Sequence, residues 1–293
     1  MSDAKRATSI DLMPAQQQTV WGKPAVANFA AGGAGAGFYI VAALSAGFSS
    51  TSALTLASWL APALVLVGFS AVALEAGRPF RGPRVLARLR TSWMSRELWF
   101  GGAFIVLAAA TLVIPTFPGR LLAAIAATLF VIAQGFMLRR ARGIAAWDVP
   151  VMPAMFAVSA IVSGVGLWLL VDITSGRGVS NAVLASTMVL LVFGFVSWLS
   201  YVTWSNDELF LSSTASLREG LTAVCLAGGG YVVPFFLLGL AVALPDWSTL
   251  LAAVSAVAMV AGQIHAKTVL ILKAGYLRPV SLHSIRLTRR VSA

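Results

Sequence analysis

The sequence predicts an all-α integral membrane protein, a bundle of eight transmembrane helices, and three observations carry that reading. The 293 residues are 59% hydrophobic and only 11% charged, and the mean hydropathy of +0.88 is far above that of a soluble domain with roughly 45–50% apolar residues. The apolar residues fall into eight stretches, each near the length of about 20 residues that a bilayer requires. The charged residues sit almost wholly in the gaps between those stretches.

A polar N-terminal tail, residues 1–24, comes first and lacks the apolar core of a cleavable signal peptide. The first span, 25–47, contains AAGGAGAGFY, in which Gly33 and Gly37 form a GxxxG step open to a neighbouring helix or a flat ligand. No strand precedes these glycines and they lie in an apolar span, so they do not read as a phosphate loop. The second span, 53–75, ends on Glu75, and the third, 97–115, begins on Glu97. Between them runs EAGRPFRGPRVLARLRTSWMSRE, whose six arginines, Arg78, Arg81, Arg84, Arg88, Arg90 and Arg96, make it the most charged segment of the chain.

The fourth span, 119–138, holds Gln134; the fifth and sixth are 150–171 and 181–204. The connection Ser205–Glu219 carries Asp207 and Glu208, an acidic patch able to pair with the central arginines. In the seventh span, 220–243, Gly228, Gly229, Gly230 and Pro234 point to a close helix contact or a kink. The eighth, 248–272, contains Gln263, His265 and Lys267; Gln263 and Lys267 are four apart and share a face, while His265 projects elsewhere. The transmembrane domain is thus 25–275, followed by a basic tail, 276–293.

An even number of spans puts both termini on one side. Eighteen of the 21 basic residues fall on that side, Arg120 and Arg177 on the other, and Lys267 within the last span. The positive-inside bias therefore predicts cytoplasmic termini. It also accounts for the net charge of +11, together with attraction to anionic lipid, so a nucleic-acid partner is not expected.

The single cysteine, Cys225, and two histidines, His265 and His283, leave no disulfide, no ligand set for an iron–sulfur cluster and no histidine pair for a membrane haem. No nucleophile–base constellation or metal-ligand cluster appears, so no catalytic residue is assigned. Ionisable or amide groups inside a membrane are costly and are functional candidates by default. Here they are Gln134, Gln263, His265 and Lys267, with Glu75 and Glu97 at helix ends. Two bland roles compete with function: Lys267 can snorkel to the surface, and Glu97 can sit at a helix N-terminus favoured by the dipole.

The eight-span layout, the glycine-rich first helix after Trp21, and the pair GRPFR and TSWMSRE resemble the DmsC/NrfD-like membrane-anchor subunits of molybdopterin oxidoreductases. In that group the second connection carries a glycine–proline–arginine segment followed by a serine-rich stretch ending in a carboxylate. Gly77, Pro79 and Arg81 match the segment, and Glu97 matches the carboxylate; Glu75 stands where the dimethyl sulfoxide reductase anchor has a histidine. The resemblance implies an anchor in a bacterial or archaeal cytoplasmic membrane. Its partners would be an iron–sulfur electron-transfer subunit and a molybdopterin catalytic subunit, and it would exchange electrons with menaquinone or ubiquinone. It also implies no haem and no iron–sulfur cluster in this chain. The cytoplasmic docking face is more like the phenylacetyl-CoA:acceptor oxidoreductase and sulfite dehydrogenase types.

On this reading a quinone pocket lies between the start of the third helix, the end of the second and the glycine face of the first. Glu97 and then Glu75 are the proton-exchanging candidates, with Gly77, Arg78 and Arg81 beside them and His265 or Lys267 as substitutes from the last helix. Arg84, Arg88, Arg90 and Arg96 would dock the iron–sulfur partner. The alternative is a small-molecule transporter, which should show broken helices and an internal repeat around a midplane site.

Overall fold

Eight apolar helices, each long enough to cross a bilayer, form the protein. A computed structural model describes residues 9–75, 83–176 and 178–283. The helices are α1 (Lys23–Ser45), α2 (Ser52–Glu75), α3 (Trp93–Val113), α4 (Phe117–Arg139), α5 (Met152–Thr174), α6 (Asn181–Val202), α7 (Gly220–Ala243) and α8 (Ser248–Leu272). Their ends agree with the hydropathy reading to within about four residues. The chain is a multi-pass membrane protein.

Two halves, α1 to α4 and α5 to α8, meet where α1 packs against α5. α1 is the most enclosed span, 83% buried, because it touches α2, α4, α5 and α8. Its small residues make that possible. A β-carbon on Gly37 would lie 1.9 Å from the Ala160 carbonyl oxygen of α5, so only glycine admits this crossing. In α7 Gly230 does the same work: it faces Gly262 of α8 so closely that a β-carbon on Gly262 would come within 2.4 Å of the Gly230 Cα, whereas Gly228 and Gly229 meet no neighbouring helix.

Neither α1 nor α7 is a plain α-helix. Each contains a π-helical segment, Asn28–Gly32 in α1 and Cys225–Val232 in α7, and such wide turns re-aim side chains and cluster at functional sites. The kink or contact expected in α7 is thus a π segment together with a close contact.

At the end of the bundle that carries the termini, a cluster around Trp147 fuses the halves. Its indole Nε1 donates to the Leu270 carbonyl of α8 at 3.0 Å, and the Tyr201 hydroxyl of α6 donates to the Ala146 carbonyl at 2.9 Å. The acidic connection is not an open loop: Glu208–Arg218 is an amphipathic helix that buries Phe210 and Leu217 against this cluster.

Nor are the two tails separate from the domain. Strand β1 (Ser9–Met13) pairs antiparallel with β2 (Val280–His283), Gln18 N donates to the Gly275 carbonyl at 2.7 Å and Leu277 N to the Gln16 carbonyl at 2.7 Å. Backbone groups that are withdrawn from water need partners, and here each tail supplies the other's. The pairing puts the two described ends of the chain on one face of the bundle. On the opposite face Arg120 is 7% exposed; it donates to the Phe48 carbonyl at 2.8 Å and to the Ser50 hydroxyl. One of the two exceptions to the charge asymmetry is therefore a brace between α4 and the loop after α1.

Candidate functional site

The central basic segment ends in a pinned turn. The described part begins with a short helix, Pro83–Leu86. Ser95 Oγ donates to the Val85 carbonyl, and Trp99 Nε1 donates to the Leu86 carbonyl at 3.1 Å. Arg96 reaches back to the carbonyls of Leu89 at 3.0 Å and Arg90 at 2.9 Å, with its guanidinium 4.2 Å over the Trp93 ring. Trp93 in turn stacks on Phe136 of α4 at 4.3 Å. Ser92 caps α3, accepting from Ser95 N at 3.4 Å. This cap sets where the helix starts, four residues before Glu97, and so sets where Glu97 lies.

Glu97 is consequently one turn inside α3 and 3% exposed, not a carboxylate at the first-turn edge. The expectation that Glu97 begins the third helix is corrected here, because the helix starts at Trp93, earlier than hydropathy indicates. Two amides meet one of its oxygens: Asn28 Nδ2 donates to Oε1 at 2.8 Å, and Gln134 Nε2 donates to the same atom at 3.1 Å. Gln134 Nε2 also approaches the Asn28 carbonyl at 3.3 Å. Asn28 belongs to the π segment of α1, and Gly68 of α2 lets α2 pack on it, since a β-carbon there would lie 2.9 Å from Asn28 Cα. Three helices thus fix the carboxylate through one oxygen. No described protein donor reaches Oε2.

Glu97 lines a cavity of about 370 Å³ between α1, α2 and α3. Asn28, Phe29 and Ala25 form its buried floor with Glu97, while exposed Val20, Ala73, Glu75 and Met94 rim its mouth. The walls are mostly apolar, with Phe69, Val72, Val85, Leu98 and Met137 completing them. Val20 and Trp21 are held here by the paired tails, and Gln18 Oε1 accepts from Trp21 N at 2.8 Å.

Glu97 and Glu75 line one cavity, but not against the glycines. Gly35 and Gly37 are used against the backbone of α2 and α5, where β-carbons would lie 2.6 Å from the Ala61 carbonyl oxygen and 1.9 Å from that of Ala160. α1 offers the cavity Ala25, Asn28 and Phe29 instead. Gly77, Arg78 and Arg81 lie outside the described residues, as does Pro79, and of Arg84 only the backbone is described. Arg88 and Arg90 are exposed, whereas Arg96 spends donors on its own chain.

Lys267 does not snorkel. It is 3% exposed and its Nζ donates to Ser159 Oγ of α5 at 2.8 Å, because the helix turns this residue toward α5 rather than the surface. Lys267 and Gln263 share a face, as their spacing predicts, and line a second, smaller cavity. His265 lines neither cavity and its Nε2 has no partner, while Lys267 lines the smaller cavity and not that of Glu97. Among the described residues no cluster of three metal-ligating side chains exists.

Asn28 is the residue that sequence reasoning missed. The signal was available: it is the one carboxamide in the first span, and an amide inside a bilayer needs a partner. The chain matches no protein-family model and no curated protein.

Proposed function

We propose that this chain is the membrane-anchor subunit of a molybdopterin and iron–sulfur oxidoreductase complex, exchanging electrons with the quinone pool at the Glu97 cavity. The observation that carries the reading is a buried carboxylate with one oxygen fixed by Asn28 and Gln134 and the other left free, on the floor of an apolar cavity of about 370 Å³. That volume falls within the range of about 300–1,000 Å³ typical of small-molecule sites, which combine apolar walls with few polar groups. The fit to a quinone is chemical: an apolar ring and tail need apolar walls, and carbonyl oxygens need a donor.

A bound quinone supplies two-electron, two-proton carbonyl chemistry. Glu97 holds a proton at Oε2 and presents it into the cavity, while Asn28 and Gln134 keep the carboxyl plane fixed. Glu75, exposed at the mouth, renews that proton from water. Phe29, Phe69 and Leu98 exclude water from the floor and flank the ring. The paired tails and the exposed Arg88 and Arg90 form the face on which an iron–sulfur subunit would dock, close to the cavity mouth. Charge asymmetry supports a cytoplasmic position for that face. A transporter's midplane site is usually built from unwound half-helices; α1 and α7 carry π segments yet run on as helices.

The test is Glu97→Gln in the assembled complex, with quinone-linked turnover measured beside turnover with a soluble dye that reacts at the catalytic subunits. Selective loss of the quinone-linked rate, by about 10²-fold or more for a lost proton donor, is expected. Unchanged quinone-linked turnover removes Glu97 from the mechanism.

A further inference from the structure

The smaller cavity, bounded by α5, α6, α7, α8 and the Glu208–Arg218 helix, has a volume of about 30 Å³, room for roughly two water-sized bodies. Its polar lining is Ser159, Trp198, Tyr201, Tyr231, Gln263 and Lys267; the Tyr201 hydroxyl already donates to the Ala146 carbonyl. Lys267 donates to Ser159 Oγ at 2.8 Å and lies 5.9 Å from the Phe156 ring centroid; no carboxylate pairs with it among the described residues. Gln263 is 2% exposed. Its Oε1 accepts from the Tyr231 hydroxyl at 3.4 Å, which turns Nε2 away, and that Nε2 has no partner. Trp198 Nε1 is likewise buried without a partner.

Donors therefore outnumber acceptors in this chamber. An ammonium carries three N–H groups, an amide two and an indole one, and an unmatched cation inside a membrane is costly. We infer that the chamber is a binding site for a small monovalent anion of halide size. Lys267 Nζ provides the counter-charge, and Gln263 Nε2 and Trp198 Nε1 complete the donor shell. One acceptor without directional preference satisfies all three, and the volume excludes phosphate-sized oxyanions. The site is separate from the Glu97 cavity and does not depend on its role.

The test uses the full chain in detergent or nanodiscs, with Tm followed in sodium chloride, sodium bromide or sodium gluconate at equal ionic strength. Chloride and bromide should raise Tm in a saturable, concentration-dependent way, and Lys267→Met should abolish the halide dependence. Equal Tm in chloride and gluconate, as water in the chamber would give, overturns the assignment. Halide dependence that persists in Lys267→Met also overturns it, because surface arginines would then be the site. Should that variant fail to fold, Gln263→Leu and Trp198→Phe keep the charge and remove one donor each. Each should weaken the apparent halide affinity by about tenfold, and unchanged affinity in both contradicts the proposal.

Discussion

Replacing Gly37 with alanine should destabilise the bundle more than any exposed substitution of equal size. The added methyl would lie 1.9 Å from the Ala160 carbonyl oxygen, where real contacts essentially never fall below 3.0 Å, so α1 and α5 must separate by about 1.1 Å. No rotamer relieves the clash because the obstacle is backbone. From the other side the fit is as tight: a β-carbon on Gly164 would come within 2.2 Å of the Gly37 carbonyl carbon. Overpacking of this kind costs about 1–3 kcal/mol, and more where backbone must move. Gly102 of α3 is the internal control, since a β-carbon there meets nothing within 4 Å, and its alanine variant should be neutral or gain up to about 1 kcal/mol of helix propensity. Unfolding of both variants by titrating a denaturing detergent into mild micelles gives the comparison. Equal midpoints for Gly37→Ala and Gly102→Ala would refute the claim that this crossing holds the halves together.

The remaining expectations concern the face that carries the termini. If the proposed docking role holds, Arg88→Glu with Arg90→Glu should release the soluble subunits proposed as partners into the supernatant, each reversed ion pair contributing up to about 1 kcal/mol; retained subunits would leave these arginines a topological role only. Arg96 is left out because its guanidinium braces the turn before α3. A reporter active only in the cytoplasm, fused at the C-terminus, should be active, and activity of an exported reporter instead would reverse the orientation.

The spans were legible because crossing a bilayer depends on length and hydropathy, which read along one dimension. The spacing of Gln263, His265 and Lys267 likewise showed which two share a face. What the sequence concealed is pairwise. Asn28 and Glu97 are 69 residues apart, and Asn28 and Gln134 are 106 apart, so no local pattern marks them as partners. Hydropathy located Glu97 at a helix start because it cannot see the Ser92 cap, which begins α3 one turn earlier. It also left Lys267 between a functional group inside the span and a side chain snorkelling to the surface, since nothing near it in sequence announces Ser159, 108 residues away. Of the glycines read as sites of close approach, Gly37 and Gly230 are such sites while Gly228 and Gly229 are not, and which helix each approaches is a property of the packed bundle. The tails look unstructured by composition and become strands only by pairing with each other.

The proposed function requires that a quinone bind in the Glu97 cavity, and photolabelling reads that directly. The complex is irradiated with an azido-substituted quinone, and the labelled peptides are mapped by mass spectrometry with and without excess unmodified quinone. Competed labels are expected on the walls of the Glu97 cavity, at the start of α1 around Asn28 and Phe29, the end of α2 around Val72, and the start of α3 around Met94 and Leu98. Competed labelling confined to the apolar groove between α6 and α7, at Phe195 or Phe236, or no competed labelling at all, would contradict it.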